Sequence, residues 1–145
     1  MELSCGAVLY TIINNEIYFV IIKSIKNICG FPKGHQEDNE TCKQTALREI
    51  KEEVGIDAII DDVQIIFEDD YYIEGKVHRK IIYFIAHYYN QEIKLQKSEL
   101  KDAYLLEYDD ALNKLNFRSS KNILKKAYKY INGHIKWYVL IYFII

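Results

Sequence analysis

The apolar positions of this 145-residue chain change period several times, and each change marks an element. Residues 3–13 are mostly apolar and contain Gly6, which predicts a strand at which another backbone or a ligand comes close. Asn14-Asn15 supplies a turn, and residues 16–23 form the second strand of a hairpin. Residues 24–39 have no clear period. Over residues 41–54, Ala46, Leu47, Ile50 and Val54 share one side at helical spacing, with Thr41 or Asn39 placed to cap the start and Gly55 the end. Strand-like runs follow near 57–68 and 77–89, separated by an acidic turn at Asp69-Asp70, and Asn90 marks a further turn. A short strand at 103–107, a helix opened by Asp109 or Asp110 and ending near Leu115, and a helix over 119–131 complete the order. Strands on both sides of one central helix favour an α+β chain with a mixed sheet over a doubly wound fold. No repeat, low-complexity tract or linker divides it, so residues 1–145 read as one domain.

Composition adds exclusions. Half of the residues are apolar and 28% are charged, enough to build a core and unlike a disordered chain. A net charge of -2 disfavours a nucleic-acid coat or a polybasic membrane binder. Three cysteines, Cys5, Cys29 and Cys42, are odd in number and lack a CxxC pair, which disfavours a disulfide framework and a cysteine-built zinc site. With no signal-type N-terminus, the reading is a reduced cytoplasmic protein. The apolar run from Trp137 to Ile145 is too short to span a bilayer, so no stable membrane insertion is expected.

The chain holds only six glycines and one proline. Pro32, Gly30, Gly34 and Gly55 all fall within twenty-six residues around the predicted central helix, so scarce turn residues concentrate at one place. On that helix Glu49, Glu52 and Glu53 stand at i, i+3 and i+4, which puts three carboxylates on one face away from the apolar stripe. Like charges at this spacing repel, and a divalent cation offsets that cost. Hard Mg²⁺ or Mn²⁺ prefers such oxygens and leaves room for phosphates, which points to metal-assisted phosphoryl or pyrophosphoryl chemistry. A solvated face helped by Arg48 and Lys51 is the plain alternative for a bare E-x-x-E-E.

The spacing continues outward and changes those odds. The pattern G-x5-E-x7-R-E-U-x-E-E-x-G-U, with U aliphatic, is filled by Gly34, Glu40, Arg48, Glu49, Ile50, Glu52, Glu53, Gly55 and Ile56. A chance match is on the order of one in a billion per start position at average residue frequencies. The chain therefore resembles the Nudix hydrolase family over most of its length. That resemblance implies an α/β/α sandwich around a mixed sheet and hydrolysis of a nucleoside diphosphate linked to another group, with Mg²⁺ or Mn²⁺. It implies that Glu52 and Glu53 are metal ligands, and that Glu49 is a further ligand or the base that activates water. The backbone carbonyl of Lys33 would complete the metal shell, Arg48 would hold the carboxylates, and Glu40, Gly34 and Gly55 would set the loop–helix geometry. Glu99, in Ser98-Glu99-Leu100, fits the later acidic residue that many members add, with an ordinary exposed loop glutamate as the alternative.

Ser4-Cys5-Gly6-Ala7-Val8, Phe31-Pro32-Lys33-Gly34-His35 and Arg79-Lys80-Ile81-Ile82-Tyr83-Phe84 look like the asymmetrical diadenosine tetraphosphate hydrolase branch of that family. That branch releases ATP and AMP. The resemblance makes Ser4, Lys33, His35, Arg79 and Lys80 candidates on the substrate, with Lys33, Arg79, Lys80 and His35, whose charge state the sequence leaves open, serving as cover for a polyphosphate, and Tyr83 and Phe117 candidates for stacking on adenine. Tyr83 alternates with Phe84, so one of the two is expected to face the core. Two departures touch base contacts and not the metal chemistry: Cys29 stands where the branch often has Trp, and Leu105-Leu106 where it often has Trp-Leu. Removal of pyrophosphate from an RNA 5′ end, hydrolysis of another activated nucleotide, and a non-catalytic nucleotide-binding module are the competing readings. A monomer or a homodimer is expected. The apolar extension 134–145 reads as an extra strand or helix covering an apolar face, or as an oligomer or membrane-surface contact.

Overall fold

The computed structural model describes residues 2–61 and 67–144. Strand β1 (Glu2–Ile13) turns back through Asn14 and Asn15, both at positive φ, into β2 (Glu16–Ser24). Two consecutive left-handed residues match the twist of a tight hairpin, and asparagine tolerates that conformation. The aperiodic stretch that follows contains two short strands, β3 (Cys29–Gly30) and β4 (Lys33–His35). Helix α1 (Cys42–Val54) comes next, then β5 (Ile59–Ile60), β6 (Phe67–Ile73), β7 (Lys76–His87) and β8 (Leu100–Glu107). Helices α2 (Tyr108–Lys114) and α3 (Arg118–Ile144) end the chain.

The strands form one mixed sheet ordered β3-β2-β1-β7-β5, with β8 on β2, β4 on β1 and β6 on β7. Strand β1 runs parallel to β7 and antiparallel to β2 and β4. Side chains alternate across this sheet, and both faces are covered. Val8, Tyr10, Phe19, Ile21, Ile81, Tyr83 and Ile85 pack with Ala111 of α2 and Leu124 and Ala127 of α3. Ala7, Leu9, Val20, Ile22, Phe84 and Ala86 pack with Ala46, Ile50 and Val54 of α1. The expected α/β/α sandwich is what forms.

Both ends of α1 follow from local chemistry. Of the two proposed caps, Thr41 serves: its hydroxyl accepts from Gln44 N, and the Gln44 side chain accepts from Thr41 N, a reciprocal capping box. Gly55 ends the helix at φ 71, with its N–H on the Lys51 carbonyl. Gly6 does admit a backbone: a Cβ there would collide with the Pro32 carbonyl oxygen and with Lys33.

Asp69 and Asp70 are not a turn. They lie inside β6, and the chain reverses at Glu74 and Gly75, both at positive φ, where glycine meets the backbone need that the aspartates suggested. Part of the run proposed near 57–68 falls outside the described residues. Tyr83 and Phe84 both face a core, because the sheet is covered on both sides. Leu47 is only half-buried, and Glu49 and Glu53 are buried instead, so two carboxylates lie on the side of α1 that meets the sheet end. No disulfide was expected, yet Cys5 is bonded to Cys42 at a Cα separation of 5.5 Å, leaving Cys29 as a buried thiol. Pairing of β1 with β4 brings residue 5 to the start of α1, which a count of cysteines cannot show. The last helix does not stop at 131 but runs through the apolar extension to Ile144. Among the described residues no helix is long and apolar enough to cross a membrane.

Candidate active site

The acidic face of α1 lies against strand β4 and the loop between β7 and β8. Glu49 and Glu53 are buried, at 4% and 3% exposure, and Glu52 is half-exposed. Carboxylates survive such burial only when cations or N–H donors face them. Three groups do so here. Arg48 Nη1 lies 3.0 Å from Glu49 Oε1 and 3.2 Å from both oxygens of Glu52. Lys97 Nζ pairs with Glu49 Oε2 and lies 3.4 Å from Glu52 Oε2. Lys33 N donates to Glu53 Oε1 at 3.0 Å.

Arg48 is itself anchored. Its Nε and Nη2 reach the two oxygens of Glu40 at 2.7 and 3.1 Å, and Nη2 also donates to the His35 carbonyl at 3.0 Å. Glu40 further accepts from the N–H of Glu37 and the hydroxyl of Thr45. These bonds to Arg48 hold the Glu40 carboxyl down to about 2, and they push the guanidinium up. Burial, helped by the Glu49 charge, pushes Glu53 up to about 8, against the pull of Lys97. Burial thus disfavours the charged form of Glu53 unless a cation faces it.

Gly34 is positioned by the same geometry. A Cβ on it would lie inside the Glu49 carboxylate, so only glycine lets β4 and the helix meet. Gly55 serves twice: besides its left-handed cap, a Cβ there would stand 2.9 Å from Gln96 Nε2. The loop after β7 is bound to the C-terminal turn of α1, with Lys94 N on the Val54 carbonyl at 2.8 Å and Gln96 N on the Glu53 carbonyl at 3.1 Å.

A cavity of about 410 Å³ opens beside Glu53. Lys33, Arg79, Tyr83 and Phe117 line it, together with Ser120 and Phe31. Tyr83 packs edge-on against Phe31, and Phe117 is 41% exposed. Four of the proposed substrate residues thus share one cavity with a proposed metal ligand. The others do not line it. Ser4 is buried in β1 beside His35 and Ile81, His35 is exposed at the end of β4, and Lys80 alternates with Arg79 and falls on the α1 side of β7. Glu99 is exposed and offers its backbone carbonyl to Ile25 N. The side chain that this loop sends to the glutamates is Lys97, for which the sequence carries no signal: it lies 48 residues from the Glu49 it touches, in a loop without a motif.

The donor set is all oxygen and anionic, which suits a hard divalent cation. Among the described residues no three acidic, His or Cys side chains converge on one point; Arg48 and Lys97 each bridge Glu49 to Glu52, and the Lys33 N–H holds Glu53. Fold and site together define a hydrolase of phosphorus anhydrides. The chain belongs to the NUDIX domain family, whose model matches residues 5–127. The asymmetrical bis(5′-nucleosyl)-tetraphosphatase of Sus scrofa is 28% identical over 141 residues, covering 88% of this chain and 94% of the relative. The 8-oxo-dGTP diphosphatase of Proteus vulgaris is 31% identical over 96 residues, covering 61% of this chain and 80% of the relative. Among solved structures, a binary complex of the C. elegans Ap4A hydrolase superposes with a TM-score of 0.82 at 24% identity, covering 92% of this chain and 99% of that one.

Proposed function

We propose that the protein is a divalent-metal-dependent pyrophosphohydrolase that cleaves dinucleoside polyphosphates, with diadenosine tetraphosphate giving ATP and AMP. The observation that carries this reading is the adjacency of the carboxylate cluster to a cavity with cationic and aromatic walls, Lys33 and Arg79 beside Tyr83 and Phe117. Its volume lies in the lower part of the ~300–1,000 Å³ range of small-molecule sites. Glu49, Glu52 and Glu53 would hold Mg²⁺ or Mn²⁺, with the Lys33 carbonyl beside them. Bound there, the ion would supply polarisation of a phosphoryl oxygen and would offset charge on the leaving phosphate.

The chain's own residues do the rest. Lys33 and Arg79 neutralise the polyphosphate, and Tyr83 or Phe117 stacks on a base. Arg48 keeps Glu49 and Glu52 oriented through Glu40. Glu49, as a carboxylate at the cluster's centre, takes the proton of the attacking water unless it is itself a ligand. Water adds across one P–O–P bond, so one phosphate leaves carrying the bridging oxygen.

The similarity to an 8-oxo-dGTP diphosphatase supports a second reading, a nucleoside triphosphate substrate. Both readings are tested by incubating the protein with Mg²⁺ and, separately, diadenosine tetraphosphate, nucleoside triphosphates, ADP-ribose and triphosphorylated RNA. ATP plus AMP from the first substrate supports the proposal. Pyrophosphate and a monophosphate from triphosphates alone replaces it with the second reading, and cleavage confined to RNA replaces both. Glu52→Gln, as the control, is expected to lower kcat by orders of magnitude with the fold intact. Inactivity against every substrate would leave a binding module.

A further inference from the structure

The two cations on the glutamate cluster are held in different ways. Arg48 is tied to both oxygens of Glu40 and to the His35 carbonyl, so its guanidinium is fixed by groups outside the cluster. Among the described residues, Lys97 Nζ pairs with Glu49 and Glu52 and with no acid outside the cluster. Its backbone is pinned, with Leu100 N on the Lys97 carbonyl at 3.2 Å and Gln96 N on the Glu53 carbonyl. Its side chain is a flexible four-carbon stem ending in a compact charge. On Glu49 the two cations take different oxygens, Lys97 Oε2 and Arg48 Oε1, whereas both reach Oε2 of Glu52. A single positive centre therefore sits between two carboxylates proposed as metal ligands.

We propose that Lys97 is a displaceable counter-cation. It occupies the space between Glu49 and Glu52 in the metal-free protein and leaves it when a divalent cation binds. This inference rests on the reading of those glutamates as metal ligands. Lys97 is a positioning residue that acts through them. Without it, the carboxylates of Glu49 and Glu52 would face one arginine and repel one another; with it, the two stay gathered, and the cation must compete for their oxygens. An arginine would bind both carboxylates through a rigid fork and be harder to remove, whereas an ammonium regains strong hydration on leaving.

Two measurements on the full chain test this without any turnover. The first is direct Mn²⁺ binding, by calorimetry or by paramagnetic resonance, to wild-type protein and to Lys97→Gln and Lys97→Arg. Removing the competing charge is expected to tighten Mn²⁺ binding on the order of tenfold in Lys97→Gln. Lys97→Arg is expected to bind no tighter than wild type. The second is amine labelling read by mass spectrometry, with and without Mg²⁺. Lys97 labelling is expected to rise several-fold with Mg²⁺, against an unchanged Lys101, whose ammonium bonds Asn27 away from the cluster. Equal Mn²⁺ affinity in Lys97→Gln, or Lys97 labelling that does not rise, overturns the displacement while leaving the metal reading standing. Failure of both wild-type and variant protein to bind Mn²⁺ overturns the two together.

Discussion

Arg48 and Glu40 form a two-pronged pair, Nε to Oε2 at 2.7 Å and Nη2 to Oε1 at 3.1 Å, and this pair aims the remaining guanidinium nitrogen at Glu49 and Glu52. One side chain thus links the loop before α1 to the acidic face of the helix. Lysine has a single charged centre and cannot hold both ends. Arg48→Lys is expected to lower kcat about ten- to hundredfold, as loss of an orienting partner does at metal sites. A steady-state assay on the substrate found in the panel checks this. Wild-type turnover in the variant would mean that the glutamates orient themselves.

The same pair sets the acid limb of stability. The Glu40 carboxyl is held from its ordinary value of 4.5 down to about 2, chiefly by Arg48. A lowered carboxyl contributes stability that is present above the unfolded value and is lost as pH falls through the folded one. The protein is therefore expected to lose stability between about pH 4.5 and pH 2 with a share owed to Glu40. In Glu40→Gln that share is gone, so the melting temperature is lower at pH 6 and falls less steeply over the acid window. Parallel acid limbs in the two proteins would refute the assignment.

Gly34→Ala places a Cβ inside the Glu49 carboxylate, whose other side is closed by Arg48 and Lys97. Either β4 or Glu49 must move, and a shift of about 1 Å at a reacting group is worth on the order of a hundredfold in rate. A loss of that size in kcat, with Mn²⁺ binding also weakened, is the expected outcome. Gly133→Ala is the contrast. It lies within α3, and among the described residues nothing stands within 4 Å of the point its new methyl group would occupy. Thermal unfolding is expected to show a gain of about 0.5–1 kcal/mol there, from helix propensity alone.

Much of this site was legible because it is local. The box from Gly34 to Ile56 lies within one loop and one helix, so spacing along the chain is also spacing in the fold, and Thr41, Gly55 and the three glutamates follow from helical geometry. What was missed depends on strands meeting across the sheet. Lys97 reaches Glu49 only because its loop is tied to the last turn of α1, and Cys5 meets Cys42 only because β1 pairs with β4. Arg79 and Lys80 looked equivalent as neighbours in sequence, but strand alternation sends one toward the cavity and the other to the opposite face. The turn at Gly75 is masked in the sequence by Asp69-Asp70, a stronger polar signal nearby that lies within β6.

Glu53 makes the electrostatic tension of the site measurable. Its Oε1 accepts from Lys33 N, its side chain is buried, and burial pushes its carboxyl from 4.5 up to about 8. In metal-free protein the native state therefore holds a proton that the unfolded chain has released, over the window from about pH 4.5 to pH 8. The native state binds more protons there, so stability falls as pH rises through that window. Glutamine keeps an oxygen for the Lys33 N–H and has no proton to lose. With a chelator present, Glu53→Gln is expected to melt close to wild type at pH 5 and well above it at pH 9. Adding Mn²⁺ at pH 8 reverses the order, because the metal gains most from the charged carboxylate and raises the wild-type melting temperature more than the variant's. Activity of Glu53→Gln falls by orders of magnitude under the same conditions. A wild-type protein that melts with Glu53→Gln at pH 9 in chelator would show that the buried carboxylate is charged at little cost, and that Lys97 and the Lys33 N–H already balance it.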